Sequence, residues 1–284
     1  MFANESSGER YPRLAVLRSW DDTETYSPAG ASVTTSAGTF TALGYSECGY
    51  INGIGVGGPA SAGSGEVNLE FVMDGQLVYP EYLTDMGVLM CPSDSKGNVV
   101  ADGKWNINGD PNLGIDRCAQ TAESYTYVPW LVDPVWTHVT NASPNQQPPA
   151  PKIQFIQDVG AVIVQLVGAA ATNNVAGAEM ILERDINLTL TGPTLDPPRP
   201  GLTAMRLREG IERFLITDIN NPGASAKAQS EVVIMFDLIS TFAQEYNHIP
   251  GGTNVLFLDG HVEFSKFPGE FPATVAFADI VSRF

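Results

Sequence analysis

The sequence predicts an α+β fold: a long central helix followed by an antiparallel sheet that ends in a hairpin. Three observations carry this prediction. Ile153, Ile156, Gly160, Ile163, Val167 and Ala170 recur at helical spacing between Lys152 and Thr172, with Phe155, Val159, Val162 and Leu166 widening the apolar face. The last third holds short β-rich runs, 214–217, 232–236, 255–258 and 262–264, the last two separated by Asp259 and Gly260. The 284 residues include 28 Gly and 20 Pro, too many turn formers for a helical bundle. With 43% apolar and 17% charged residues, the chain can bury the core of one or two domains.

Taken in order, residues 1–7 read as the last turns of a helix stopped at Gly8. Residues 27–65 are dominated by Gly, Ser, Thr and Ala. Gly53, Gly55, Gly57 and Gly58 lie close together there, but no Lys follows, so turns explain them better than a phosphate loop. The apolar pattern from Val67 to Cys91 predicts a short helix leading into a buried strand. Tyr125 and Tyr127 alternate in a strand, and Pro144, Pro148, Pro149 and Pro151 mark a linker near the middle of the chain. Arg206, Arg208, Glu209, Glu212 and Arg213 read as a solvated helical face over 202–214. Asp259-Gly260 predicts a two-residue type I′ turn, which would pair Phe257 with Val262 and Leu258 with His261. Val255, Phe257, Val262 and Phe264 would then share one apolar face, with Leu256, His261 and Glu263 on the other.

Charge narrows the partners. A formal charge of -17 leaves no broad basic surface for phosphates, which argues against nucleic acid. There is no run of about 18 apolar residues, so the chain itself is expected to be water-soluble. Acidity, low Lys and abundant small polar residues suggest a secreted bacterial surface protein.

Candidate sites are few. Asp102, Asn106, Asn108, Asp110 and Asp116 place oxygen ligands along one turn-rich loop that could hold Ca²⁺, although Pro111 stands where an EF-hand has Gly and solvated turns compete as the account. Cys48, Cys91 and Cys118 are few enough to be core thiols; in an oxidising compartment the best pair to bridge is Cys91 with Cys118, closing that loop and leaving Cys48 over. Asp237, His248, Asp259 and His261 could converge at one end of the final sheet to hold a metal or a water, against a hydrogen-bonding role for His248 in its loop. Trp130 and Trp136 offer a sugar-stacking platform, and Glu209 with Glu212 a carboxylate pair; core packing and a solvated helix are the competing accounts. No spacing of His, Cys or Ser marks a zinc finger or a nucleophile elbow, so no catalytic set is expected.

The tail from His248 to Pro272 reads His-Ile-Pro-Gly-Gly-Thr-Asn-Val-Leu-Phe-Leu-Asp-Gly-His-Val-Glu-Phe, then Lys-Phe-Pro-Gly after Ser265. It resembles the C-terminal signature of bacterial type IV pilin-like proteins and type II secretion pseudopilins, in the branch where a His is followed after nine residues by Asp-Gly. Here ten residues separate His248 from Asp259 and Gly260. Residues 1–12, 79–94 (Tyr-Pro-Glu-Tyr-Leu before Cys-Pro-Ser-Asp) and 207–230 fit the same resemblance.

The resemblance implies a pilin-like head whose N-terminal spine helix is truncated, residues 1–12 being its end. A loop-rich part (13–143), a linker (144–151) and a helix-and-sheet part (152–284) would then form one head. It also implies a precursor held in the inner membrane by an apolar helix absent from this sequence. The expected role is a structural, non-enzymatic subunit of an extracellular, cell-surface or periplasm-spanning filament, assembled with copies of itself and other pilin-like subunits. A secreted carbohydrate-binding module and a secreted hydrolase are the alternatives, and no cofactor beyond the Ca²⁺ loop is expected.

Overall fold

The computed structural model describes residues 2–17, 32–35, 38–41, 50–51, 54–55, 68–94, 101–103, 105–106, 111–112, 114–115, 117, 120–139, 141–171, 175–189, 203–215, 228–241, 246–248 and 251–283. Its strands in chain order are β1 (Leu14–Leu17), β2 (Ser32–Thr35), β3 (Gly38–Thr41), β4 (Tyr50–Ile51), β5 (Ile54–Gly55), β6 (Asn68–Met73), β7 (Tyr125–Tyr127), β8 (Ile186–Asn187), β9 (Thr203–Ala204), β10 (Val233–Asp237), β11 (Gly252–Phe257) and β12 (Val262–Lys266). Its helices are α1 (Phe2–Glu5), α2 (Gly75–Val78), α3 (Ile153–Ala171), α4 (Val175–Glu183) and α5 (Val275–Val281). The fold therefore mixes helix with antiparallel sheet.

The central sheet has the order β12-β11-β10-β7, all antiparallel. Because directly paired residues share a face, Thr126, Phe236, Val255 and Glu263 form one rank across it. Helices cover this face: the Phe236 ring lies 5.8 Å from Phe277 of α5, and Phe155, Val162 and Leu166 of α3 are buried in the same core. Full burial of each such side chain contributes about 1.5–3 kcal/mol. An apolar cavity of about 80 Å³ lies where Phe71, Val128, Phe155, Val159, Phe277 and Ile280 meet. The opposite face carries the rank Tyr125, Asp237, Asn254 and Phe264, which builds the candidate site.

The N-terminal segment is sewn to this sheet by buried polar groups. Arg206, 1% exposed, donates through Nη1 to the Pro129 carbonyl at 2.6 Å and through Nη2 to the Tyr11 carbonyl at 2.9 Å. Its guanidinium also lies over the Trp130 ring, and Tyr127 Oη donates to the Pro12 carbonyl at 2.8 Å. A fully buried cation holds its charge only with such acceptors around it. Arg13 continues the network, pairing with Asp74 at 3.0 Å and Glu179 at 2.8 Å. Burial nevertheless raises the Asp74 pKa, outweighing the Arg13 charge.

Several expectations need correction. Between Val67 and Cys91 the order is reversed: strand β6 comes first, then α2, capped by Asp74, and a 3₁₀ turn at Met86–Leu89. Residues 203–214 form no α-helix, and Phe214 closes a 3₁₀ turn rather than opening a strand. They contain β9, bridges from Arg206 to Trp130 and from Arg208 to Arg10, and that 3₁₀ turn, because Arg206 is needed in the core. The proline-rich segment is pinned to the C-terminal part: Asn145 Nδ2 donates to the Gly269 carbonyl at 2.8 Å, and Ala276 N–H to the Pro144 carbonyl at 2.9 Å. The hairpin is offset by one residue. Leu256 opposes Val262 and Asn254 opposes Phe264, since Phe257 N–H donates to the His261 carbonyl across a three-residue loop. Of Asp259 and Gly260, only Gly260 takes positive φ (+89°), so the turn is not type I′. Val262 and Phe264 consequently sit apart from Val255 and are 61% and 54% exposed.

Candidate functional site

The site grows from the rank Tyr125, Asp237, Asn254 and Phe264, one residue from each strand of the central sheet. Two loops lay side chains onto it. The segment after the 3₁₀ turn at Met86–Leu89 delivers Cys91, and the segment before β11 delivers His248. Cys91 begins a tight turn in which Asp94 N–H donates to the Cys91 carbonyl, and Asp94 in turn accepts from Ser124 Oγ at 2.8 Å. The His248 ring stands edge-on to Phe264, 6.1 Å between centroids. Phe264 in turn lies over Gly252, where a Cβ would come within 2.3 Å of the ring.

The functional atoms converge on His248 Nε2. Asp237 Oδ2 lies 3.1 Å from it, Asn254 Nδ2 3.0 Å and Cys91 Sγ 3.5 Å. Asp237 is fully buried, and its Oδ2 also accepts the backbone N–H of Asn254 at 2.6 Å and its side-chain amide at 2.9 Å. Asp237 Oδ1 is buried without a hydrogen-bond partner. Burial pushes the Cys91 thiol above its ordinary range, and the nearby Asp237 charge adds to this, while the Ser93 backbone N–H, directed at the sulfur, opposes it. Tyr125, pushed up to about 12 chiefly by burial, completes the wall beside Cys91.

This geometry does not suit a nucleophilic triad. There the base uses one ring nitrogen toward the nucleophile and the other toward the orienting carboxylate. Here the sulfur and the carboxylate meet the same nitrogen, and burial raises the thiol pKa instead of lowering it. What the set offers is three ligand types, thiol sulfur, imidazole nitrogen and carboxylate oxygen, all within 4.8 Å of one another.

The expected site residues separate. Of the proposed convergence, Asp237 and His248 meet, whereas Asp259 and His261 pair with each other at the hairpin tip, where His261 also stacks on Phe257 at 4.4 Å. The His261 hydrogen bond holds the Asp259 carboxyl below its usual range. Within the signature His248, Asp259 and Gly260, the histidine thus serves the cluster and Asp-Gly serves the turn. Cys91, assigned to a bridge with Cys118, is a free buried thiol; Cys118 lies outside the described residues.

In the expected Ca²⁺ loop, Asp102 is exposed and Asn106 is buried in a bridge to Ile115, while Asn108, Asp110 and Asp116 lie outside the described residues. That stretch is also not simply solvated: Trp105 is fully buried against Val72, Met86 and Leu89, its Nε1 donating to Thr121 Oγ1 at 3.0 Å. Trp130 and Trp136 are buried, 6% and 5% exposed, and form no platform for a sugar. Glu209 is exposed and Glu212 buried, so the two carboxylates do not face solvent together. Joining Cys91 to His248 and Asp237 was beyond sequence spacing; the one local signal was a cysteine opening a Cys-Pro-Ser-Asp turn.

Comparison with known proteins finds no matching family model, no matching curated protein and no matching solved structure. Among the described residues, no helix is long and apolar enough to cross a membrane.

Proposed function

We propose that this chain is the globular head of a pilin-like subunit, working in a filament outside the cytoplasmic membrane by assembly rather than catalysis. One observation carries the proposal: the four stretches that resemble pilin-like proteins, far apart in sequence, pack against one another. Phe2 meets Tyr82 edge-on at 5.2 Å, and Tyr82 Oη donates to Glu5, tying residues 1–12 to residues 79–94. Tyr11 N–H donates to the Leu207 carbonyl at 3.0 Å and Glu209 N–H to the Glu9 carbonyl at 2.9 Å, tying the same N-terminal stretch to residues 207–230. Cys91 meets His248, joining residues 79–94 to the tail. The four stretches thus make one continuous frame.

In this reading α1 is the exit point of a longer apolar helix, the acidic head stays solvated, and subunits repeat head to tail without closing. The test is immunogold electron microscopy of the source cells with antibodies raised against residues 2–283, together with N-terminal sequencing of the antigen. Labelled filaments whose subunit carries an apolar stalk before Met1 are the expected result. Antigen recovered only as a free, stalkless protein overturns the proposal.

A further inference from the structure

We propose that Cys91, Asp237 and His248 form a binding site for a divalent transition-metal ion of the zinc class, which clamps the Cys91 and His248 loops onto the central sheet. The separations suit one ion. Zinc held by sulfur at about 2.3 Å and nitrogen at about 2.0–2.1 Å in a tetrahedron sets those two atoms about 3.5 Å apart, and nitrogen and oxygen about 3.3 Å apart. The corresponding distances are 3.5 Å from Cys91 Sγ to His248 Nε2 and 3.1 Å from His248 Nε2 to Asp237 Oδ2.

Hydrogen bonding does not account for every contact of His248. A ring nitrogen has one proton or one lone pair in the plane of the ring. His248 Nε2 nevertheless has sulfur, oxygen and nitrogen within 3.5 Å, so at most one of the three contacts can be a well-directed hydrogen bond. A cation at the point they share would satisfy sulfur, nitrogen and oxygen at once. Asp237 Oδ1 is buried with no hydrogen-bond partner, so the carboxylate has an oxygen left for a ligand beside the one Asn254 occupies. The donor set of thiolate, imidazole and carboxylate suits zinc and not calcium, which takes oxygen alone.

The surroundings are those of a supported site. Ser93 N–H is directed at the sulfur, and Asn254 fixes the carboxylate through two donors. His248, 25% exposed, is the side from which an ion enters. On binding, the S–H bond of Cys91 breaks, the sulfur–metal bond forms and the proton leaves to solvent.

The chain, stripped with a chelator, is titrated with Co²⁺ and then Zn²⁺. One equivalent of Co²⁺ with a thiolate-to-cobalt charge-transfer band, displaced by Zn²⁺, is expected. Cys91→Ser loses the band, and His248→Gln weakens binding by about tenfold or more. A silent titration, or a band that persists in Cys91→Ser, overturns the proposal. A second measurement needs no variant: Zn²⁺ slows alkylation of Cys91 in the unmodified chain, mapped by peptide mass spectrometry. An unchanged rate at Cys91 overturns the site even if both variants fail to fold.

Discussion

Asp237 and Asn254 form a doubly bonded pair across adjacent strands, one carboxylate oxygen accepting both the backbone N–H and the side-chain amide of the same residue, at 2.6 and 2.9 Å. The buried carboxylate therefore fixes which way Asn254 faces and ties β11 to β10 through a side chain as well as the backbone ladder. Asp237→Ala leaves those donors without their acceptor and is expected to cost about 2–4 kcal/mol, read by urea denaturation. A loss under about 0.5 kcal/mol, the range of ordinary surface changes, would show that the pair adds nothing to stability.

Arg206 allows a sharper test, since its guanidinium serves carbonyls on two separate segments. Arg206→Met keeps much of the apolar stem but strands those carbonyls, with an expected loss of about 3–5 kcal/mol. Arg206→Lys should recover only a small part, because an ammonium cannot span the planar fork. Full recovery by Lys, measured by thermal and urea unfolding, would contradict this account.

Two glycines should behave very differently. A Cβ at Gly75 would lie 2.4 Å from the Arg117 carbonyl, a backbone atom with no easy escape, and closer still to Gln120 Oε1. At Gly260 a Cβ meets nothing within 4 Å, and the cost comes only from its φ of +89°. Gly260→Ala is expected to lose about 1 kcal/mol. Gly75→Ala should lose distinctly more, and equal melting temperatures for the two variants would refute the comparison.

Alkaline pH should unfold the metal-free protein early. Burial raises the Tyr125 phenol from 10.0 to about 12 and pushes the Cys91 thiol above 9.0. Both groups lose a proton to become charged, so the unfolded chain gives up protons first and the native state is favoured only while they stay neutral. Their contribution is complete below about pH 9 and lost as pH rises from there to about 12. Denaturant midpoints measured across that window should fall, and Tyr125→Phe should flatten the upper part of the decline. A midpoint constant to pH 12 would show that these groups are not held as described.

The parts of the fold legible in the sequence were those with a strong local period. Helix α3 follows from its apolar spacing, and β10, β11 and β12 follow from β-rich runs around Asp259-Gly260. What sequence could not supply was decided by distant partners. The Asp-Gly dipeptide permits two turn geometries, and Asp259, by bonding His261, supports the one that moves the register by one residue. Residues 202–214 carry a helical charge pattern, yet Arg206 is drawn into the core by carbonyls of residues 11, 12 and 129. Helices α4 and α5 were not anticipated: α4 has a weak pattern rich in Ala and Gly, and α5 is a short apolar run in a stretch otherwise typical of strands. Of the candidate site, His248 and Asp237 were foreseen as neighbours, but Cys91 lies 157 residues from His248 and no spacing rule reaches that far.

The attachment of residues 11–13 sets how a pull at α1 would reach the rest of the fold. Tyr11 and Pro12 are held through their carbonyls by Arg206 and Tyr127, and Arg13 through its own carbonyl by Asp74. Tension applied at α1 is therefore shared over three successive peptide units and enters the central sheet at β7, one margin of the four strands. The hairpin occupies the other margin, so its tip lies off the route by which such a pull would enter the sheet.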